Sequence, residues 1–201
     1  CPRNQVFINS NDPQEIFFWV FFVLKRSVYM EVSHSQRLTI RQLKDYIKAD
    51  SNLQAIYDYV KDSLEHDPGH DMAHFLRVAI MAIQFSKGQC DQRCIVAAAL
   101  MHDVVNTPKN DPNSKNASAL SADVVRSFLP SLAFTAEETE DIACAVRDHS
   151  YSRGATPISL LGEVIQDADR MEALGVLGVL RTISVGTQMK STFFHPHDPW
   201  A

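Results

Sequence analysis

The chain has 201 residues, a formal net charge of −5 at pH 7, 45% hydrophobic and 21% charged residues. That length allows one domain with a full core, and the balance is that of a folded globular chain, not a disordered one. The acidic balance argues against a broad basic face for duplex nucleic acid, but leaves room for a small anionic substrate held by a few local cations.

Residues 1–36 read as an N-terminal extension whose order the sequence does not set, and the first Met is Met30. The run from Ile16 to Leu24 is strongly apolar. It is too short for a helix to cross about 30 Å of hydrocarbon. Asp12 and Glu15 flank it in place of a basic n-region, and no small-residue cleavage site follows. No membrane segment is expected.

From Leu38 onward the apolar spacing is helical, and no run alternates as a half-buried strand would. Thr39 opens a helix with Leu43, Tyr46 and Ile47 on one face. Asp50 or Ser51 caps the next, which carries Leu53, Ile56, Tyr57, Val60 and Leu64. A third is expected from Asp71 to Ser86, stopped by Lys87-Gly88. Cys94 to Asp103 reads as a helix apolar on all sides, hence buried. A polar loop, Asn106 to Lys115, follows it. Further helices are expected at Ala117–Leu129, Ala136–His149 and Ser159–Leu174, and a Gly-broken apolar segment runs from Gly175 to Gly186. The last residues, Phe193 to Ala201, form an aromatic loop with no helix to close the core. The expected fold is a single all-α domain spanning 37–201 and lacking its C-terminal helices.

His102 and Asp103 close the buried run, where an imidazole and a carboxylate are costly to desolvate without partners. Both are good ligands for a divalent ion, which needs three or more donors from separate elements. His74 on the third helix and Asp167 or Asp169 on the Ser159–Leu174 helix also stand beside apolar core positions. Asp167 and Asp169 are two apart, so they point to nearly opposite sides and only one should face an ion. Cys90 and Cys94, one turn apart, could share a metal, but small semi-apolar residues at a helix start are the stronger reading. Four scattered cysteines make no disulfide scaffold, and reduced thiols fit a cytoplasmic protein.

The segments Gly69 to Val78, Ala99 to Asp103 and Ile165 to Arg170 resemble the ordered H…HD…D signature of the HD-domain metal-dependent phosphohydrolases. Asn106 to Lys109, Ala117-Ser118, Asp148 to Ser150 and Glu172 to Gly175 are similar to one bacterial branch of these hydrolases. The resemblance covers roughly 50–201 and implies an HD-domain helical bundle. It implies His74, His102, Asp103 and Asp169 as ligands of one divalent transition metal. Two imidazoles and two carboxylates favour Mn, Fe, Co, Ni or Zn over Mg. Asp103 and His149 are the expected catalytic groups. Asn106, Lys109 and Arg170 would contact the substrate, and His70, Asp71, Asp167 and Glu172 would orient the ligands. Arg77 is expected to pair with an acid.

The implied activity is hydrolysis of a phosphoester or phosphoanhydride bond of a nucleotide or small phosphorylated metabolite, in a monomer or homodimer. The alternative is a regulatory module that keeps the metal and binds a nucleotide without catalysis.

Overall fold

In the computed structural model, the described residues are 38–64, 71–105, 116–188 and 190. The expected N-terminal extension, the apolar run Ile16–Leu24, His70, Asn106, Lys109 and the aromatic C-terminal loop lie outside them. The described residues form eight α-helices and no strand: α1 (Ile40–Ala49), α2 (Ser51–Ser63), α3 (Met72–Ser86), α4 (Gln92–Met101), α5 (Ala117–Phe128), α6 (Ala136–Asp148), α7 (Leu160–Glu172) and α8 (Gly175–Gln188). Single 3₁₀ turns at Leu129–Ser131 and Tyr151–Arg153 were not expected from the sequence. None of these helices is long and apolar enough to cross a membrane. Two compact units divide the described chain, one ending at Ala173 and the other beginning at Leu174.

Local chemistry explains where the helices of the first unit start. Thr39 and Gln42 form a reciprocal capping box ahead of α1, and Thr135 and Glu138 do the same ahead of α6. Asp50, rather than Ser51, caps α2, accepting from the Asn52 and Leu53 amides at 2.8 and 3.2 Å. Its other oxygen accepts from Arg93 Nε at 2.9 Å, which ties α2 to α4. The stop after α3 uses left-handed backbone at Lys87 (φ 50°) and Gly88 (φ 75°), a conformation that glycine adopts without a Cβ penalty.

All eight residues from Cys94 to Met101 on α4 are buried, as an all-round apolar helix requires. The helix packs against α2, α3, α6 and α7. Those neighbours supply Leu53, Ile56 and Val60, then Phe75, Val78, Ala79 and Ala82, then Ile142, Ala143, Ala145 and Val146, then Leu161, Val164, Ile165 and Ala168. α4 ends at Met101, two residues earlier than the sequence pattern indicates, and His102 is its C-cap. The second unit presents α8, whose Val176, Val179, Leu180 and Ile183 are exposed.

Candidate metal centre

The ends of α4 and α6 are built alike. His102 and His149 are the C-cap residues of these helices, both still in right-handed helical backbone. His102 Nδ1 donates to the Ala99 carbonyl at 2.8 Å, and His149 Nδ1 donates to the Val146 carbonyl at 2.6 Å. Each ring thus satisfies one of the carbonyls that a helix end leaves over. A carbonyl only accepts, so the hydrogen is on Nδ1 in both rings and Nε2 points onward into the site. This device carries the two rings beyond the helices that their sequence spacing places them in.

His74 comes from the first turn of α3. Asp71 caps that helix by accepting from the His74 amide at 2.9 Å, which fixes the backbone from which the ring projects. His74 and His102 are almost fully buried, and the Phe75 ring stands edge-on to His102 with centroids 5.1 Å apart. Asp169, from α7, completes the convergence.

His74 Nε2 and His102 Nε2 are 3.2 Å apart. Asp169 Oδ1 is 3.5 Å from the first and 3.8 Å from the second, and Asp103 Oδ2 is 3.6 Å from His102 Nε2. Donors held at about 2.0–2.2 Å from one ion are separated from each other by roughly 3.0–3.5 Å, so these spacings suit a shared cation. His74, His102 and Asp103 each offer an atom within 4.8 Å of the other two. Burial lowers the His102 pKa to about 4 against the opposing pull of Asp103, so the ring is neutral at pH 7 and its Nε2 is a lone pair. A lone pair facing another imidazole nitrogen at 3.2 Å calls for a proton or a cation between them. The carboxylates are the open side of the site, with Asp103 21% and Asp169 23% exposed against 1% and 0% for the two imidazoles.

His149 differs from His102. Its Nε2 is 3.3 Å from Asp103 Oδ1, and with Nδ1 already donating, the ring bonds both groups only as an imidazolium. Burial opposes the charge, but the hydrogen bond and the field of Asp103 outweigh it and raise the pKa to about 9. One carboxylate therefore faces a neutral imidazole and a charged one.

Glu172 is buried one turn after Asp169 on α7. Its Oε2 is 3.6 Å from His74 Nδ1 and accepts from Arg77 Nε at 2.8 Å and Nη2 at 2.7 Å. Burial pushes its carboxyl up, but His74 and Arg77 outweigh this and hold it below the ordinary range. The acid expected to pair with Arg77 is thus Glu172. Asp167 is exposed on α7, and partial desolvation by the helix surface around its carboxyl raises its pKa against the opposing pull of Arg170. Arg170 is also exposed, its guanidinium 5.6 Å from the centre of the Tyr151 ring.

Two supports were not expected from the sequence. Gln166, inside the apolar stripe of α7, donates to the Asp148 and Ala155 carbonyls at 2.8 and 3.1 Å, holding the chain on both sides of His149. The Asp148 carboxylate accepts both Arg147 Nε (2.8 Å) and Nη2 (2.6 Å). The only signal was an amide among buried positions, which sequence spacing does not assign to a partner.

Cys90 and Cys94 do not offer thiolates. Burial, followed by Asp91, raises Cys94 to about 12, and burial with Asp141 raises Cys90.

Residues 72–174 match the HD domain family. The chain belongs to this family. The uncharacterized protein YpgQ of Bacillus subtilis (strain 168) is 30% identical over 122 residues, an alignment that covers 58% of this chain and 57% of YpgQ. The chain thus matches a little over half the length of this curated relative. A crystal structure of YpgQ in complex with ADP superimposes with a TM-score of 0.56 at 26% identity, covering 72% of this chain and 70% of that one. A predicted HD-superfamily hydrolase from an uncultured Thermotogales bacterium gives a TM-score of 0.56 at 27% identity, covering 71% and 80%. The HD-domain segment contains the four converging donors and the three residues, Arg77, His149 and Glu172, that flank them.

Proposed function

We propose that the chain is a metal-dependent phosphohydrolase that cleaves a phosphoester or phosphoanhydride bond of a nucleotide or similar small phosphorylated metabolite. The observation that carries the reading is the convergence of His74, His102, Asp103 and Asp169 from two helices and the end of a third on one partly open point. Membership of the HD-domain family and the ADP complex of YpgQ support it.

His74 and His102 would hold the ion through Nε2, and Asp103 and Asp169 through a carboxylate oxygen. Nitrogen and oxygen donors in this ratio suit Mn, Fe, Co, Ni or Zn ahead of Mg. Such an ion supplies positive charge for phosphate oxygens and acidifies water. Asp103 lies between the cluster and His149, so it is placed to accept a proton from the attacking water. His149 holds a proton at Nε2, 3.3 Å from Asp103 Oδ1, and is placed to deliver one to the leaving oxygen. Arg170 is the described cation assigned to the substrate, and Asn106 and Lys109 are assigned with it on sequence grounds.

The test is hydrolysis by the purified chain, with Mn²⁺, Co²⁺ or Ni²⁺, of nucleoside di- and triphosphates and of a chromogenic phosphate ester. Activity that persists when both His102 and Asp103 are replaced by Ala sinks the assignment. ADP binding with no turnover under any of these metals favours the regulatory module instead.

A further inference from the structure

Two pairs of residues spaced three apart face each other across α3 and α7. His74 and Arg77 lie on one face of α3, and Asp169 and Glu172 on one face of α7. They make two rungs one turn apart. The first joins His74 Nε2 to Asp169 Oδ1 at 3.5 Å and belongs to the metal cluster. The second joins Arg77 to Glu172 at 2.7 Å. A diagonal links them, because the same Glu172 oxygen lies 3.6 Å from His74 Nδ1.

We infer that Arg77 is a positioning residue for the metal centre, acting through Glu172 on the ring of His74. The inference rests on the reading of His74 as a metal ligand. The guanidinium brings Nε and Nη2 to one oxygen, which leaves the Glu172 carboxylate little freedom to rotate. That oxygen is held on the Nδ1 side of the imidazole. A separation of 3.6 Å is too long for a formed hydrogen bond, yet the negative charge favours the hydrogen on Nδ1 and frees Nε2 as a donor to the ion. The ion pair also spans α3 and α7 next to the rung that must close on the metal, so it sets the spacing of two ligands on separate helices. The described ligand ring beside it, His102, takes its orientation from a backbone carbonyl instead. The two imidazoles are thus fixed by different means, and only one of them depends on side chains that can be replaced.

The experiment titrates the full chain with Mn²⁺ by calorimetry and records the melting temperature without metal, for wild type, Arg77→Lys, Arg77→Met and Glu172→Gln. Glu172→Gln, which keeps the side-chain shape, is expected to raise Kd about 10–100-fold, the range for outer partners of a ligating histidine. Arg77→Met is expected to raise it about tenfold, and Arg77→Lys, which keeps the charge but not the two-nitrogen fork, about threefold. Imidazole NMR on the Zn²⁺-loaded protein, where the ion stands between the two Nε2 atoms, should show the His74 Nδ1–H signal moved in Glu172→Gln relative to wild type. A lower melting temperature with unchanged Kd and an unmoved His74 signal would mean that Arg77 and Glu172 serve structure alone, and overturns the inference. Failure of the wild type to bind Mn²⁺ overturns the metal-centre reading, and this inference with it. If Arg77→Met does not fold, Glu172→Gln and Arg77→Lys still decide the matter.

Discussion

Asp169 and Asp167 stand two residues apart on α7, and replacing each in turn tests the site most directly. Asp169→Asn keeps the side-chain shape and removes one anionic donor lying 3.5 and 3.8 Å from the two imidazole nitrogens. Its carboxylate is 23% exposed, so losing its charge changes metal-free stability by less than about 1 kcal/mol. Metal binding is where the change should appear. At a Mn²⁺ concentration 100 times the wild-type Kd, binding stabilises the fold by about 2.7 kcal/mol. For a chain of this size that raises the melting temperature by roughly 5–10 °C. A lost direct donor is taken to weaken binding about 100-fold, the upper end for outer partners. The same Mn²⁺ concentration then equals Kd, and the stabilisation falls to about 0.4 kcal/mol, or roughly 1 °C. Asp167→Asn, on the exposed side of the helix, should keep the full metal-induced shift. The assay is a thermal melt by circular dichroism with and without Mn²⁺. A full shift in Asp169→Asn, or a collapsed one in Asp167→Asn, refutes the reasoning.

Three further outcomes are expected. Asp50→Ala removes the cap of α2 and its tie to Arg93, costing about 2 kcal/mol at pH 7 by urea unfolding. Burial pushes the Asp50 carboxyl up, but the Leu53 and Asn52 amides and Arg93 outweigh this and hold it below its ordinary 3.8. Its contribution is therefore complete above that value and is lost as pH falls through the lowered one, so the gap between wild type and variant should narrow only on acidification below 3.8; a gap that narrows above it would contradict the assignment. Phe75→Ala empties a fully buried site against His102 and should cost about 3–5 kcal/mol in urea, and a loss under 1 kcal/mol would mean that the ring is not a packed wall. With its thiol near 12, Cys94 should resist a disulfide reagent at pH 8 in the native protein, and Cys90→Ser with Cys94→Ser should leave metal stoichiometry unchanged; fewer ions per chain would restore the thiol-site reading.

Much of the helical fold was legible in the residues. Helix positions follow from apolar spacing, and three of the starts from Thr39, from Asp50 or Ser51, and from Asp71, because these are local effects carried by a few neighbouring side chains; the capping box at Thr135 was not anticipated. The continuous run from Cys94 to Met101 was enough to place that helix at the centre, since no other location hides every face. The H…HD…D order pointed to the four donors through family resemblance, because spacing alone cannot say which of Asp167 and Asp169 turns inward.

What the tertiary structure alone decided concerns groups far apart in sequence. It paired Arg77 with Glu172, set His149 against Asp103, and placed Gln166 under the end of α6. It also separated the protonation of two histidines that occupy equivalent helix ends, one neutral and one charged. His102 and His149 bond their helices in the same way, so nothing local separates them. The difference is how closely Asp103 approaches each ring, 3.6 Å from His102 without a hydrogen bond and 3.3 Å from His149 with one that it accepts, and that distance exists only once α4 and α6 are packed together. Desolvation and pairing energies depend on three-dimensional neighbours, so they cannot be read from a linear order of residues.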